Sequence, residues 1–209
     1  MSDELVFYTN PMSRGRIVRW MLEEVGQPYR TELLDYGTSM KAPEYLALNP
    51  MGKVPAIRHG DAVVTEAGAI CAYLADAFPE AGLAPPQGSK ARAPYFRWMF
   101  YAAGPFEAAV TNKSLNVEVP PERKGMVGYG SFDDVMNTLE YAVTQSEFIA
   151  GDRFTAADVY FGSSIGWGLM FGSIEKRPAF QAYFGRLANR PAAVRAREID
   201  DALVPKPPA

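Results

Sequence analysis

The amino-acid sequence predicts an α+β fold in which a mixed first half is followed by an all-helical second half. The first 78 residues alternate between short β-branched or aromatic runs and segments with apolar residues every three or four positions. Residues 79–90 contain three prolines and two glycines and are predicted to form a linker. From residue 91 onward the patterns are helical. We therefore expect two domains, residues 1–78 and 91–209.

The first strand and helix follow from patterns in residues 5–25. Residues 5–8 are a short β-rich run, and Asn10-Pro11 interrupts it as a loop does. The next apolar residues share one helical face, which ends before Gly26-Gln27-Pro28. The residues of this face are Ile17, Val18, Met21, Leu22 and Val25.

The remainder of the first half is predicted as a strand at residues 29–34, a short helix near 44–48, a hairpin and a final helix. The hairpin joins strands at 54–57 and 62–64, and its Gly60-Asp61 turn suits type II′ because glycine accepts a positive φ. The final helix carries apolar side chains at helical spacing, Ile70, Tyr73, Leu74 and Ala77. The predicted order is β-α-β-(α)-β-β-α.

The second half is predicted to contain four or five packed helices. Breaks in the helical pattern fall at Pro120-Pro121, Gly151 and Pro191. Thr155 and Asp158 have the spacing of a capping box, which predicts a helix start at this point. Because this helix is apolar nearly all round, we expect it to lie at the centre of the second half.

Composition excludes several classes of protein. With 209 residues, 48% apolar and 22% charged, the chain is of the ordinary globular type and not disordered or fibrous. A net charge of −3 gives no electrostatic reason to expect nucleic acid or an anionic membrane as a partner. No apolar run approaches the ~18 residues of a membrane helix, and the first residues do not resemble a signal peptide. We expect a cytoplasmic protein.

The cysteine and histidine counts bear on redox and metal chemistry. The chain has one cysteine, Cys71, and one histidine, His59, so an internal disulfide is excluded and a Cys/His metal site is not expected. Thiol chemistry would therefore use a thiol from another molecule.

Two segments of the first half carry a family resemblance. Residues 49–56, Asn-Pro-Met-Gly-Lys-Val-Pro-Ala, and residues 65–70, Thr-Glu-Ala-Gly-Ala-Ile, resemble the glutathione-binding signature of cytosolic glutathione transferases. The linker and the capping box also lie where this family has them. The chain is most similar in pattern to compact bacterial members of serine/arginine type, which are theta-, chi- or beta-like.

The resemblance implies a fold, a reaction and partners. It implies a thioredoxin-like first domain, an all-α second domain and a homodimer. The implied reaction is detoxification, in which the glutathione thiolate attacks a hydrophobic electrophile without a metal. A glutathione-dependent peroxidase or reductase, and a non-catalytic glutathione-binding protein, remain alternatives.

The resemblance also assigns residues to glutathione. A cis bond between Val54 and Pro55 would turn the Val54 backbone outward, to pair with glutathione as an added strand does. Glu66 and Ala67 would receive the γ-glutamyl carboxylate at a helix start, and Lys53 would add a nearby positive charge. The alternatives are an ordinary edge strand, a glutamate that caps its own helix and a solvated lysine. Ala67 departs from the usual serine, so one hydrogen bond is lost.

The thiol-activating group is expected between the first strand and the first helix. Counting back from Gly26, the position of the family's serine falls on Met12, one residue before Ser13. Ser13 is the candidate hydroxyl, with helix capping as its alternative role, and Arg14 is the candidate cation. Tyr8 is expected in the core.

The electrophile is expected to contact the first helix of the second domain. Its candidates are Trp98, Tyr101 and Phe106, because aromatic side chains commonly line small-molecule clefts. The alternative is that these aromatic residues form part of the helical core.

Overall fold

The computed structural model describes residues 4–204, which form two compact units. The first unit contains residues 4–81 together with 190–204, and the second contains residues 82–189. In the described part of the chain, no helix is long and apolar enough to cross a membrane.

A four-stranded mixed sheet forms the first unit's centre. The strand order is β2-β1-β3-β4, with β2 parallel to β1 and the other neighbours antiparallel. His59 pairs with Ala62 across the predicted two-residue turn, in which Gly60 has a φ of +56°, so the hairpin is confirmed. The strands are β1 (Leu5–Thr9), β2 (Arg30–Leu33), β3 (Ala56–His59) and β4 (Ala62–Thr65).

The helices of residues 4–204 follow the predicted order. In the first unit they confirm the sequence β-α-β-α-β-β-α. Residues 91–204 contain six α-helices where four or five were predicted, because the last of them, α9, belongs to the first unit and leaves five in the second. The helices are α1 (Gly15–Val25), α2 (Pro43–Leu48), α3 (Ala67–Ala77), α4 (Arg92–Tyr101), α5 (Glu107–Ser114), α6 (Phe132–Gln145), α7 (Ala156–Phe171), α8 (Pro178–Ala188) and α9 (Pro191–Leu203).

The core of the first unit lies between the sheet and its helices. Phe7 of β1 and Ile57 of β3 are fully buried, and so are Val18 and Met21 on the apolar face of α1. Burying one such side chain stabilises the fold by about 1.5–3 kcal/mol. The apolar face read from the sequence is therefore what holds α1 on the sheet.

The last helix differs from the predicted domain division. The sequence placed residues 91–209 in one helical domain, but α9 groups with the first unit, where it packs against α1. Ion pairs join the two helices: Arg16 to Asp201, Arg19 to Asp200, Glu24 to Arg190 and Glu23 to Arg195. The partners of each pair are more than 160 positions apart, so local periodicity contains no sign of this packing.

Helix α7 is the buried helix of the second unit, as its composition predicted. Its start has the predicted capping box between Thr155 and Asp158. A Cβ atom at Gly166 would overlap the ring of Phe184, and one at Gly168 would lie 2.8 Å from Ile174. The glycines of α7 therefore make room for neighbouring side chains, which offsets their cost of roughly 1 kcal/mol each in helix propensity.

Candidate functional site

The Val54-Pro55 segment lies immediately before β3. The bond between these residues is cis, as expected, and Val54 is half-buried. Within residues 4–204, neither the N–H nor the C=O of Val54 forms a hydrogen bond. Backbone groups of this kind can pair with an extended peptide as a further strand does.

Side chains of α2 and the following loop fix the peptide before Val54. The Lys53 carbonyl accepts hydrogen bonds from the Tyr45 hydroxyl at 2.6 Å and from Asn49 Nδ2 at 2.8 Å. Burial raises the pKa of Tyr45 to about 12, so the hydroxyl remains a donor at neutral pH. Gly52 has a φ of +56°, and a Cβ atom there would lie 2.7 Å from the Met40 carbonyl oxygen. This loop is therefore tightly held, while the Lys53 side chain is exposed.

The start of α3 is open to a ligand. Within residues 4–204, the Glu66 side chain forms no capping hydrogen bond to this helix, so the alternative in which Glu66 caps its own helix is not observed. The Glu66 carbonyl accepts the first intrahelical bond, from Ile70 N–H at 2.9 Å. The N–H groups of the first turn and the positive end of the helix dipole thus suit a carboxylate. Glu66 has a φ of +68°, a value that is unusual for a residue with a side chain.

Asn10 organises the loop between β1 and α1. Its Nδ2 donates to the Leu34 carbonyl at 2.8 Å, and its Oδ1 accepts from Met12 N–H at 2.9 Å. The Asn10 carbonyl also accepts from the Ser13 hydroxyl at 2.6 Å. Sequence reasoning did not single out this residue. The signal was available, because asparagine readily forms such turns with its side chain.

Ser13 lies at the start of α1 with only 9% of its surface exposed. Its hydroxyl donates to the Asn10 carbonyl and accepts from Gly15 N–H at 2.9 Å. Ser13 thus bonds to the first residue of α1, but the N-cap residue is Arg14, so the N-cap alternative for Ser13 is not observed. A Cβ atom at Gly15 would overlap the Thr9 hydroxyl and approach Ser13 Oγ to 3.0 Å. Only glycine therefore fits between the end of β1 and the serine.

The other residues predicted near the thiol differ in exposure. Arg14 and Met12 are exposed, and Arg14 precedes the first residue of α1 in helical conformation. Tyr8 is half-buried and packs against Tyr45, with ring centroids 5.7 Å apart. The structure therefore places Ser13 and Arg14 together at the helix start and Tyr8 against the core.

The predicted electrophile residues contribute to the core of the second unit. Trp98 and Phe106 are 5% and 3% exposed, and both pack against Phe161. Tyr101 also packs against Phe161, and its hydroxyl donates to the Val135 carbonyl at 3.2 Å. The core alternative describes Trp98 and Phe106, because an aromatic at helical spacing is buried as readily by neighbouring helices as by a ligand. Tyr101 is half-buried and stays a candidate for contact with the electrophile.

The single cysteine and the single histidine, Cys71 and His59, both lie in the first unit. Cys71 is fully buried, and burial raises the pKa of its thiol, so it remains protonated and unreactive. His59 Nδ1 lies 3.0 Å from the Tyr73 hydroxyl. Within residues 4–204, no cluster of three or more His, Cys, Asp or Glu side chains is arranged to hold a metal ion.

Two family models match the chain. Residues 12–77 match the glutathione S-transferase N-terminal domain, and residues 130–191 match the C-terminal domain. The first match spans the loop at Ser13, the Val54-Pro55 segment and the start of α3.

Individual proteins agree with these models. A glutathione transferase structure from Methylococcus capsulatus strain Bath is 29% identical, covers 95% of this chain and 99% of its own, and has a TM-score of 0.78. A sphingomonad glutathione S-transferase complexed with glutathione is 27% identical, with 94% and 98% covered and a TM-score of 0.76. Glutathione S-transferase GstA of Escherichia coli O157:H7 is 31% identical over 162 residues, 77% of each chain. The chain therefore belongs to the glutathione S-transferase family of enzymes.

Proposed function

We propose that this enzyme binds glutathione on its first unit and transfers it to hydrophobic electrophilic small molecules. The observation that carries the proposal is the unpaired backbone of Val54 beside the sheet, within a segment that matches the family model. The sphingomonad relative, whose structure contains glutathione, supports the same ligand.

Each part of glutathione has a matching group in the first unit. The Val54 N–H and C=O pair with the cysteinyl backbone as one strand pairs with another. The γ-glutamyl carboxylate binds at the start of α3, where Ala67 supplies its N–H and Glu66 adjoins the site. Lys53, whose side chain is exposed, contributes a positive charge toward a glutathione carboxylate.

The reaction requires the glutathione thiol to lose its proton. A free thiol has a pKa of about 8.5, and each unit of depression requires about 1.4 kcal/mol of thiolate stabilisation. The start of α1 supplies a positive dipole end, the Ser13 hydroxyl and the Arg14 cation. For Ser13 to act, its hydrogen must turn from the Asn10 carbonyl to the sulfur. The proton passes to solvent, and the sulfur lone pair then forms a bond to the electrophilic carbon.

A conjugation assay with a generic chlorinated aromatic electrophile tests this assignment. The carbon–sulfur bond forms and chloride leaves with its bonding electrons. The assay follows the formation of this conjugate. We expect Ser13→Ala or Arg14→Ala to lower kcat/KM roughly 10- to 100-fold, because a hydrogen bond to a charged group is worth about 1.5–3 kcal/mol.

Matched controls separate this effect from general damage. Ser114→Ala removes an exposed helical serine and Arg153→Ala removes an exposed arginine, both in the second unit. These variants should retain the wild-type rate. Equal rates in Ser13→Ala, Arg14→Ala and wild type would contradict the catalytic assignment, and calorimetry without heat at millimolar glutathione would contradict the whole proposal.

We also propose that the enzyme is a cytoplasmic homodimer with a role in detoxification. The support is the resemblance to the bacterial members of the family, carried by residues 49–56 and 65–70. Light scattering on the full chain should give twice the chain mass of 23.0 kDa. A monomer at micromolar concentration would contradict the dimer without affecting the proposed reaction.

A further inference from the structure

Arg16 connects the loop at Ser13 to the last helix. From the first turn of α1, its Nε donates to the Pro11 carbonyl at 2.6 Å, and its Nη1 donates to Asp201 Oδ1 at 2.7 Å. One planar guanidinium therefore binds a loop carbonyl and a carboxylate of α9 at the same time, which a lysine ammonium cannot do with the same geometry.

Helix α9 is a firm anchor for this connection. The neighbouring Asp200 pairs with Arg19 at 3.1 Å, and both side chains are almost fully buried, at 1% and 2% exposure. At the other end of the same two helices, both oxygens of Glu24 accept from Arg190, at 2.7 and 2.8 Å. Asp201 is itself 57% exposed, so its position depends on these neighbouring contacts more than on its own burial.

The Pro11 carbonyl lies in the middle of the loop that holds Ser13 and Arg14. On its other side this loop is held by Asn10, which bonds to the Leu34 carbonyl after β2. The loop is thus fastened at two points, one on the sheet side through Asn10 and one on α9 through Arg16. Asn10 and Arg16 thus hold the loop in place without being among the groups proposed to act on the thiol.

We propose that Arg16 and Asp201 are positioning residues for thiol activation, so that α9 sets the geometry of the loop at the start of α1. This inference rests on the proposed function, because the loop matters for catalysis only if it activates glutathione. Neither residue need contact the sulfur. Their effect is to hold Ser13 and Arg14 where the thiolate forms.

The thiol pKa of the Asp201→Ala variant distinguishes positioning by Arg16 from a direct electrostatic effect of its charge, because the two roles predict shifts in opposite directions. Arg16 faces two carboxylates of α9, Asp201, with which it pairs, and Asp200, which is also the partner of Arg19. If Arg16 acted on the thiol only through its charge, Asp201→Ala would remove a neutralising carboxylate and lower the thiol pKa. If Asp201 positions the loop, the same variant raises the thiol pKa, because the stabilising groups move out of place.

The experiment is a pH titration of bound glutathione, followed by the ultraviolet absorbance of the thiolate in the absence of electrophile. The proteins are wild type, Arg16→Lys, Asp201→Ala and Asp201→Asn. The control is Arg195→Gln, which removes the pair between Arg195 and Glu23 from the same two helices without a contact to the loop. Glutathione affinity is measured in parallel by calorimetry.

We expect Arg16→Lys and Asp201→Ala to raise the thiol pKa by about 0.5–1 unit, a three- to tenfold loss of thiolate at lower pH. Asp201→Asn keeps an oxygen acceptor and should show a smaller rise, while Arg195→Gln should match wild type. Glutathione affinity, measured at a pH well below the pKa of the bound thiol so that the thiol stays protonated in every protein, should change by less than about twofold in all four variants, since the Val54 and α3 sites do not involve these residues.

Four outcomes would overturn the inference. A lower thiol pKa in Asp201→Ala would show that Arg16 acts on the thiol through its charge. An unchanged thiol pKa would show that Asp201 has no role in thiol activation. An equal rise in Arg195→Gln would show only a general weakening of the two helices. If wild-type protein fails to bind or ionise glutathione, the proposed function falls and this inference falls with it, and that result is distinguishable because it does not involve a variant.

Discussion

The helix starts of the candidate site and the start of α7 use the same backbone groups in opposite ways. At α3, in the part of the chain that the structure describes, the N-cap residue Glu66 makes no side-chain bond to the first turn, which suits its N–H groups to a ligand. At α7 the first turn has partners, since Ala156 N–H donates to the Leu83 carbonyl at 2.8 Å and Asp158 N–H donates to Thr155. The Asp158 carboxylate, which is fully buried, completes this start by accepting from Thr155 N–H, Ile149 N–H and the Tyr183 hydroxyl. An open helix start is suited to binding, whereas a closed one stabilises the fold.

The largest expected effect comes from opening the closed start. Asp158→Ala leaves the N–H groups of Ile149 and Thr155 and the Tyr183 hydroxyl buried without their acceptor. We expect a loss of about 3–5 kcal/mol in the free energy of unfolding, measured by denaturant titration. Asp152→Ala, at an exposed aspartate in the preceding turn, should change it by less than about 0.5 kcal/mol. Similar losses in both variants would contradict the comparison.

Gly15 offers a test at the start of α1. Gly15→Ala places a methyl group against the buried Thr9 hydroxyl and should destabilise the protein by about 1–3 kcal/mol while displacing Ser13. Gly185→Ala, in the interior of α8, meets no neighbouring atom and should stabilise it by about 0.5–1 kcal/mol. Thermal unfolding distinguishes the two signs, and a stabilising Gly15→Ala would show that the fit at Ser13 is loose.

A substitution at Ala67 should strengthen glutathione binding at the start of α3. Ala67→Ser adds the hydroxyl that the family usually has there, so glutathione should bind about 2- to 10-fold more tightly, a gain of about 0.5–1.5 kcal/mol. Calorimetry with Ala72→Ser, further along the same helix, as the control measures this gain. Weaker binding by Ala67→Ser would place the γ-glutamyl carboxylate elsewhere.

The buried Asp158 carboxyl at the start of α7 should make the stability of the protein depend on pH. Burial raises the pKa of the Asp158 carboxyl, and hydrogen bonds from Ile149, Tyr183 and Thr155 offset part of that rise. The folded protein thus holds this proton more tightly than the unfolded chain, and the contribution of Asp158 falls as pH rises through the interval between the two pKa values. The stability advantage of wild type over Asp158→Ala should therefore shrink between acid and neutral pH in denaturant titrations. An advantage that grows over this interval would mean that the hydrogen bonds outweigh burial.

Local sequence patterns predicted the features of the fold that depend on residues close together in the chain. The Gly60-Asp61 hairpin and the Thr155–Asp158 capping box each need only a short segment, and the structure has both. The cis bond before Pro55, also present, was implied by the family resemblance. Packing between distant segments was not predictable in this way. Trp98 and Phe106 went to the core because of Phe161, more than fifty positions away, and periodicity cannot distinguish a helix neighbour from a ligand.

Within the candidate site the same limit applies. Ser13 and Arg14 are candidates because the family resemblance implies a thiol-activating residue between the first strand and the first helix, and local patterns locate these two elements. The bond from Arg16 to Asp201 spans 185 positions and had no trace in the pattern of either helix. Asn10 was within reach of sequence reasoning, since its role depends on a turn of a few residues.

The membership of α9 in the first unit means that this unit is not one continuous stretch of chain. A chimera that exchanges the helical unit between relatives would have to be cut twice, after residue 81 and before residue 190, to keep each unit intact. Joining two relatives at the linker alone would pair α1 of one parent with α9 of the other. Such a hybrid would combine arginines and carboxylates of α1 and α9 that were never selected together. Low stability or activity of the hybrid would then reflect mismatched charges and not an incompatible substrate pocket.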